Sequence, residues 1–336
     1  YENLQNRNYT LAEFSGNVVF TLKEIAKNKK EPEPDIFIES GRYVSASHAV
    51  LISPVLELFS QEYDEEALRL KDKNPPLIEE LYDLYNSVID KTAIEYLHDS
   101  LEHMESLLTL FDLGYIDLQD RSNTEVLVHL IIKKVIKILK HKNHRDIIRI
   151  QEQVQERYLL NCSFFQSLPD YWGLGQNFPV IPLDKLNKKP TRSASLWDIT
   201  CDSDGEIAFN KHTPLFLHDI DVNKEDYFLG FFLVGAYQEV LGMRHNLFTH
   251  PTEFSVIFDE EGGYQIENLL ESQTILDVLD DLDYDTKEIE RRLKQRLDES
   301  EKISEESKQE VLGQLYIMLS ENGYLRTVFK SERTVS

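Results

Sequence analysis

The segments SLWDITCDSDGEIAFN (residues 195–210) and YFLGFFLVGAYQEVLGMRHNLF (227–248) carry the most specific chemistry in this 336-residue chain. Cys201 is one of two cysteines, and Asp202 and Asp204 flank a serine just before Gly205. Closely spaced carboxylates beside a glycine disfavour a strand, so they read as a turn closing LWDIT. The apolar run 229–237 reads as a buried strand, with Gly235 where another group approaches the backbone closely. Spacing alone describes a tight acidic turn beside a core strand.

Outward from that pair, residues 196–258 alternate short strands with polar turns and predict a mainly antiparallel β unit. Residues 167–183 are a loop dense in Pro, Gly and aromatics. Asp170 there is either an acid facing a cation or a proline-turn acid, and Trp172 either stacks on a guanidinium or packs in the core. At the other end, Phe14, Val18, Val19, Leu22 and Ile25 recur at helical spacing and run into basic residues 27–30. Pro32 and Pro34 break that helix, and DIFIES (35–40) then alternates like a strand. Helix, short loop and strand make one unit of an α/β barrel. Residues 43–53 are β-rich and predict a crossover to a second domain, with His48 as a packed residue.

Residues 62–160 follow a different period. Leu77, Leu81, Leu84 and Val88 step by four and three, as do Leu97, Leu101, Met104 and Leu108. Leu127, Ile131, Val135 and Ile138 repeat the pattern, then Ile147, Ile150, Val154 and Tyr158. This predicts a bundle of roughly four helices. From Leu269 onward the chain reads as an acidic helical tail.

Net charge is −24, from 36 basic and 60 acidic residues spread along the chain. That disfavours nucleic acid and anionic membrane surfaces and favours a cationic ligand. Two cysteines outside a CxxC spacing suggest a reducing compartment. With no apolar run of membrane-spanning length and no visible signal peptide, the expected location is cytoplasmic. Several motifs fail on inspection. His141 and His144 lack further zinc ligands nearby. Gly173-Leu174-Gly175 has Phe178 at the sixth position of a dinucleotide fingerprint. Asp281, Asp283 and Asp285 start a calcium loop, but Thr286 and Arg292 occupy its glycine and glutamate positions. A Cys201–His245 hydrolase would need positive surroundings for a thiolate, and Cys201 sits among acids.

DITCDSDG, LGFFLVGAYQE and HNLF, with IESGRYVSASHAVL (38–51) and SLPDYWGLGQNFPVIPL (167–183), lie in collinear order. Together these blocks resemble the C-terminal part of the biosynthetic arginine decarboxylases, pyridoxal-phosphate enzymes related to ornithine and diaminopimelate decarboxylases. The resemblance runs from near residue 1 to near residue 325. It implies an α/β plus β architecture: the end of a (β/α)8 barrel with its crossover (1–56), a helical-bundle insertion (57–165), an antiparallel β domain (166–267) and a helical tail (268–336). It implies decarboxylation of L-arginine to agmatine for polyamine synthesis.

By the same resemblance, Glu39 would face the pyridine nitrogen of the cofactor, while Gly41, Arg42 and Tyr237 would hold its phosphate. Cys201 would protonate the substrate carbon after carbon dioxide leaves, and Asp170, Asp202 or Asp204 would face the guanidinium. Magnesium and a homodimer or larger assembly with shared active sites are also implied. In the family the Schiff-base lysine and the glycine-rich phosphate loop precede the segment matched here, so this chain alone is expected to be inactive. The competing expectations are a non-catalytic scaffold or regulator, or a decarboxylase acting on ornithine, lysine or carboxynorspermidine.

Overall fold

The computed structural model describes residues 10–59, 63–139, 155–209, 214–300 and 302–325. Its centre is a seven-stranded sheet built from β1 (Val50–Phe59), β2 (Glu156–Leu160), β3 (Val180–Pro182), β4 (Arg192–Trp197), β5 (Glu206–Ile207), β6 (Phe216–Leu217) and β7 (Phe228–Phe232). The order is β3-β7-β1-β2-β4-β5, with β6 also on β4. The β2–β4 pair is parallel and the remaining pairs are antiparallel. The expected β unit therefore reaches beyond 196–258 and draws in β1 and β2. Buried central strands read as continuous apolar runs. FLGFF fits that rule, with Leu229 and Phe231 packed against Tyr158, Leu160, Phe164, Leu196 and Leu217.

Between β1 and β2 the chain leaves the sheet to form α3 (Pro76–Ser87), α4 (Ala93–Asp112) and α5 (Leu118–Leu139). Pro76 opens α3, where a missing N–H costs nothing. Ile78, Leu81, Leu127, Ile131 and Val135 are fully buried between these helices. Each such side chain contributes about 1.5–3 kcal/mol. The Asn123 side chain accepts from the Arg69 N–H at 2.8 Å and donates to the Arg69 carbonyl at 2.9 Å, tying the lead-in segment to α5. Ile147, Ile150, Val154, His141 and His144 lie outside the described residues. Tyr158, expected on the fourth helix, instead sits in β2, where its hydroxyl donates to the His218 carbonyl at 2.9 Å.

The first expected helix is α1 (Leu11–Lys29), started by a capping box between Thr10 and Glu13 and ended by Lys30 in a left-handed conformation. The strand expected at 35–40 does not form. Residues 31–40 carry no regular structure, and Phe37 is 94% exposed. A strand needs a neighbour for its N–H and C=O groups, and among the described residues none pairs here. The β-rich reading of 43–53 holds only from Val50. Before it come α2 (Gly41–Ser45) and a 3-10 turn at Ala46–His48. His48, expected to be packed, is exposed at the end of that turn, with Nδ1 2.5 Å from the Ser45 carbonyl.

C-terminal to the sheet, β8 (Glu253–Phe258) and β9 (Tyr264–Leu270) form a separate antiparallel hairpin, so Leu269 belongs to a strand. The helices of the tail follow as α9 (Ile275–Asp281), α10 (Thr286–Asp298) and α11 (Glu305–Leu319). Asp277 and Asp285 are cap residues: Asp277 completes a capping box with Thr274, and Asp285 accepts from the Glu288 N–H at 3.1 Å. Among the described residues no helix is long and apolar enough to cross a membrane.

Candidate active site

Three short helices frame the region: α6 (Phe164–Ser167), α7 (Pro169–Leu174) and α8 (Gln238–Leu241). Leaving β7, the chain makes a tight passage to α8 in which Leu233 and Tyr237 take positive φ. Gly235 is approached as expected: a Cβ there would collide with the Ser45 carbonyl and the His48 ring. This contact brings α2 and its 3-10 turn against the Tyr237 segment. The Gly235 N–H also donates to the Ala46 carbonyl at 2.9 Å.

The result is a compact cluster. The Arg42 guanidinium lies 4.9 Å from the centre of the Tyr237 ring, and its Nη1 is 2.5 Å from Asp170 Oδ2. Gly41 packs so closely on the Tyr237 hydroxyl that any Cβ would strike it. Asp170 is only 3% exposed. A buried carboxylate needs both a counter-charge and donors. Arg42 supplies the first, and Gln238 Nε2 donates at 2.6 Å. In return Gln238 Oε1 accepts the Asp170 N–H at 3.1 Å. The structure thus brings Gly41, Arg42, Asp170 and Tyr237 together. Asp170 faces a cation, but that cation is Arg42. Glu39 lies exposed on the segment just before α2.

A second cluster surrounds the turn after β4. The Asp202 Oδ2 atom is 3.2 Å from His245 Nε2, and its Oδ1 accepts from the Asp204 N–H at 2.9 Å. The exposed Cys201 thiol neighbours the Asn246 side chain, with Sγ 3.7 Å from Nδ2 and 3.9 Å from Oδ1. His245 therefore pairs with the acid, and Asn246 with the thiol. The His245 ring lies 4.3 Å from that of Phe165, which lies 5.6 Å from Trp172. Trp172 thus rests on an aromatic ring, and Arg42 lies over Tyr237.

The turn is anchored by Asp198, which the sequence reading passed over. Its carboxylate is buried and accepts from the Phe164 N–H at 2.9 Å, the Thr200 N–H at 2.9 Å and the Thr200 hydroxyl at 2.7 Å. Burial pushes its pKa up, and the hydrogen bonds from Thr200 and Phe164 oppose that shift without cancelling it. An Asp followed two residues later by Thr at a strand end is an Asx-turn signal that could have revealed it. Gln238 and Asn246 offer no such local signal. Among the described residues no three His, Cys, Asp or Glu side chains converge to hold a metal ion.

Residues 71–150 match the arginine decarboxylase helical bundle domain, and residues 275–325 match the arginine decarboxylase C-terminal helical extension. The chain is 60% identical to the biosynthetic arginine decarboxylase of Campylobacter jejuni, whose crystal structure superposes with a TM-score of 0.80. That match covers 98% of this chain and 54% of the other. The biosynthetic arginine decarboxylase of Bacteroides thetaiotaomicron is 38% identical over 293 residues, covering 85% of this chain and 46% of the relative. For that of Phocaeicola vulgatus the identity is 36% over 292 residues, with the same coverages. The chain spans about half the length of the relatives it matches. With bundle, sheet and C-terminal helices all matched in order, this chain belongs to the biosynthetic arginine decarboxylase family.

Proposed function

We propose that the complete protein containing this chain decarboxylates L-arginine to agmatine and carbon dioxide in the cytoplasm, with pyridoxal phosphate as cofactor. The observation that carries this reading is the 60% identity to the Campylobacter jejuni biosynthetic arginine decarboxylase across nearly the whole chain. The local chemistry agrees with it. A guanidinium, a phenol and a glycine free of any side chain converge at Gly41, Arg42 and Tyr237, a donor set suited to a phosphate. Asp170 and Gln238 fix the Arg42 fork rather than meet substrate.

When bound, the cofactor supplies the electron sink that decarboxylation requires. Glu39 would hold a proton at the pyridine nitrogen of that cofactor, and Arg42 and Tyr237 would hold its phosphate. Cys201 delivers a proton to the α-carbon once carbon dioxide has left. Asp202 and Asp204, on the same turn, face the substrate guanidinium. The Cys201 thiol is exposed, which suits a site completed by a second copy in a homodimer.

The test measures carbon dioxide and agmatine from carboxyl-labelled arginine, with ornithine and lysine alongside. Release from arginine alone is expected, and preference for another amino acid would overturn the substrate assignment. Cys201→Ala is expected to release carbon dioxide while diverting product from agmatine to the aldehyde. Agmatine as sole product would remove Cys201 from the proton-transfer role.

A further inference from the structure

The Cys201–Asp202 turn is anchored at its base by Asp198, and its outer side meets Asn246 and His245. Its contacts to Asn246 and His245 depend on two consecutive non-glycine residues in left-handed conformation, Asn246 at φ 53° and Leu247 at φ 65°. Such backbone is intrinsically unfavourable and persists only where the surroundings over-determine it. Part of those surroundings is Phe165, against which the His245 ring packs, and part comes from the C-terminal segment. The Tyr324 hydroxyl donates to the Thr249 carbonyl at 2.6 Å, and the Tyr324 ring stacks on Phe248 with centroids 5.3 Å apart. One residue on, the Leu325 N–H donates to Asn161 Oδ1 at 3.0 Å, and Asn161 Nδ2 donates back to the Leu325 carbonyl at 2.7 Å. Asn161 directly precedes Cys162, whose carbonyl accepts from the Ile199 N–H at 3.1 Å, two residues before Cys201.

We propose that Tyr324 is a positioning residue. Together with Leu325 it straps the 245–249 and 199–202 segments to one another, which sets the Cys201 thiol and Asp202 carboxylate in register. The strap grips both sides of the turn, at Thr249 and Phe248 on one side and at Asn161 on the other. Its own base is fixed where the Ile275 N–H donates to the Glu321 carbonyl at 2.7 Å and Thr274 pairs with Asn322. In this arrangement the C-terminal extension is a support for the candidate site and not a peripheral appendage.

The consequence for turnover rests on the function proposed above, but the consequence for the thiol does not. Cys162 is buried and Cys201 exposed, so alkylation of the two can be followed separately in the complete protein by mass spectrometry of their peptides. Tyr324→Ala is expected to change the alkylation rate of Cys201 about tenfold. Tyr324→Phe, which retains the stacking and loses one hydrogen bond, should show a smaller change of about twofold to fivefold. An unchanged Cys201 rate would overturn the strap, as would an equal change of the Cys201 rate in Ile131→Ala, a truncation in the bundle core, which would report general loosening. In turnover, Tyr324→Ala is expected to lower kcat and shift product toward aldehyde, with KM for arginine changed less and Tyr324→Phe partly restoring both. Normal partitioning in Tyr324→Ala beside altered partitioning in Cys201→Ala would overturn the inference alone. Normal partitioning in Cys201→Ala would overturn the proton-transfer reading, leaving the labelling rates to decide the strap.

Discussion

The helical bundle and the segment 233–247 stand at opposite ends of a scale. Along the described part of the bundle, 63–139, no non-glycine residue has a positive φ, and the interior is filled by fully buried Ile78, Leu81, Leu127, Ile131 and Val135. In the fifteen positions of 233–247, Leu233, Tyr237, Asn246 and Leu247 all have positive φ, while Leu241 and Leu247 are exposed. One region gains stability from burial and ordinary backbone. The other sustains unfavourable backbone to place a phenol, an imidazole and an amide beside Arg42, Asp202 and Cys201. Strain concentrated at a candidate site is the expected signature of geometry held for chemistry.

The most decisive test alters each region and reads both stability and turnover. Ile131→Ala, which opens a cavity in the bundle, is expected to cost about 2–5 kcal/mol in a urea titration while leaving kcat for arginine near that of the parent. Loss of turnover without loss of stability there would mean the bundle takes part in the chemistry. Glu39→Gln should do the reverse, lowering kcat ~10²-fold with little change in unfolding midpoint, because it removes a charge that matters as the reaction proceeds. Near-normal turnover would return Glu39 to being a solvated acid.

Glycine substitution separates the two regions by sign. Leu247→Gly is expected to stabilise by up to ~1 kcal/mol, because the relief of left-handed strain exceeds the added entropy of the unfolded chain. Glu102→Gly, on the exposed face of α4, should destabilise by about 1 kcal/mol. Equal effects of the same sign would remove the contrast.

The smallest effect is electrostatic. Arg291 and Arg292 hold the Glu288 carboxyl down to about 2. A lowered carboxylate pKa stabilises the fold above the ordinary value of 4.5, and that contribution disappears as pH falls through about 2. Wild type and Glu288→Gln should therefore differ slightly in unfolding midpoint at about pH 5 and converge below about pH 2. Added salt should shrink the gap, as for any exposed pair. A difference that survives full protonation would point to packing in place of charge.

What could be read in advance follows from how local each cause is. The bundle helices were legible because burial on one face imposes a 3.6-residue period within each segment. The same rule misled at Tyr158, which continues the spacing of Ile147, Ile150 and Val154 yet pairs with Leu196 on β4. Parallel pairing is a distant event that no local period announces. DIFIES alternates like a strand, but alternation does not supply a ladder partner. At the site, Gly235 announced a close approach, and the structure supplies Ser45 and His48. The Arg42–Asp170–Gln238 network was not legible, because its members are separated by 128 and 68 residues and meet only through the sheet.

The placement of the bundle also bears on how the chain assembles in time. β1 and β2 are neighbours in the sheet, with Val55 opposite Leu160, yet the whole bundle is synthesised between them. Closing a flexible loop of roughly a hundred residues costs about 4 kcal/mol in chain entropy. A bundle whose contacts are local can fold as it leaves the ribosome and bring its two ends together before β2 exists. The sheet then meets a short tether in place of a long one. On this view the insertion acts as an internal chaperone for β1, sparing an apolar strand a long wait without its partner.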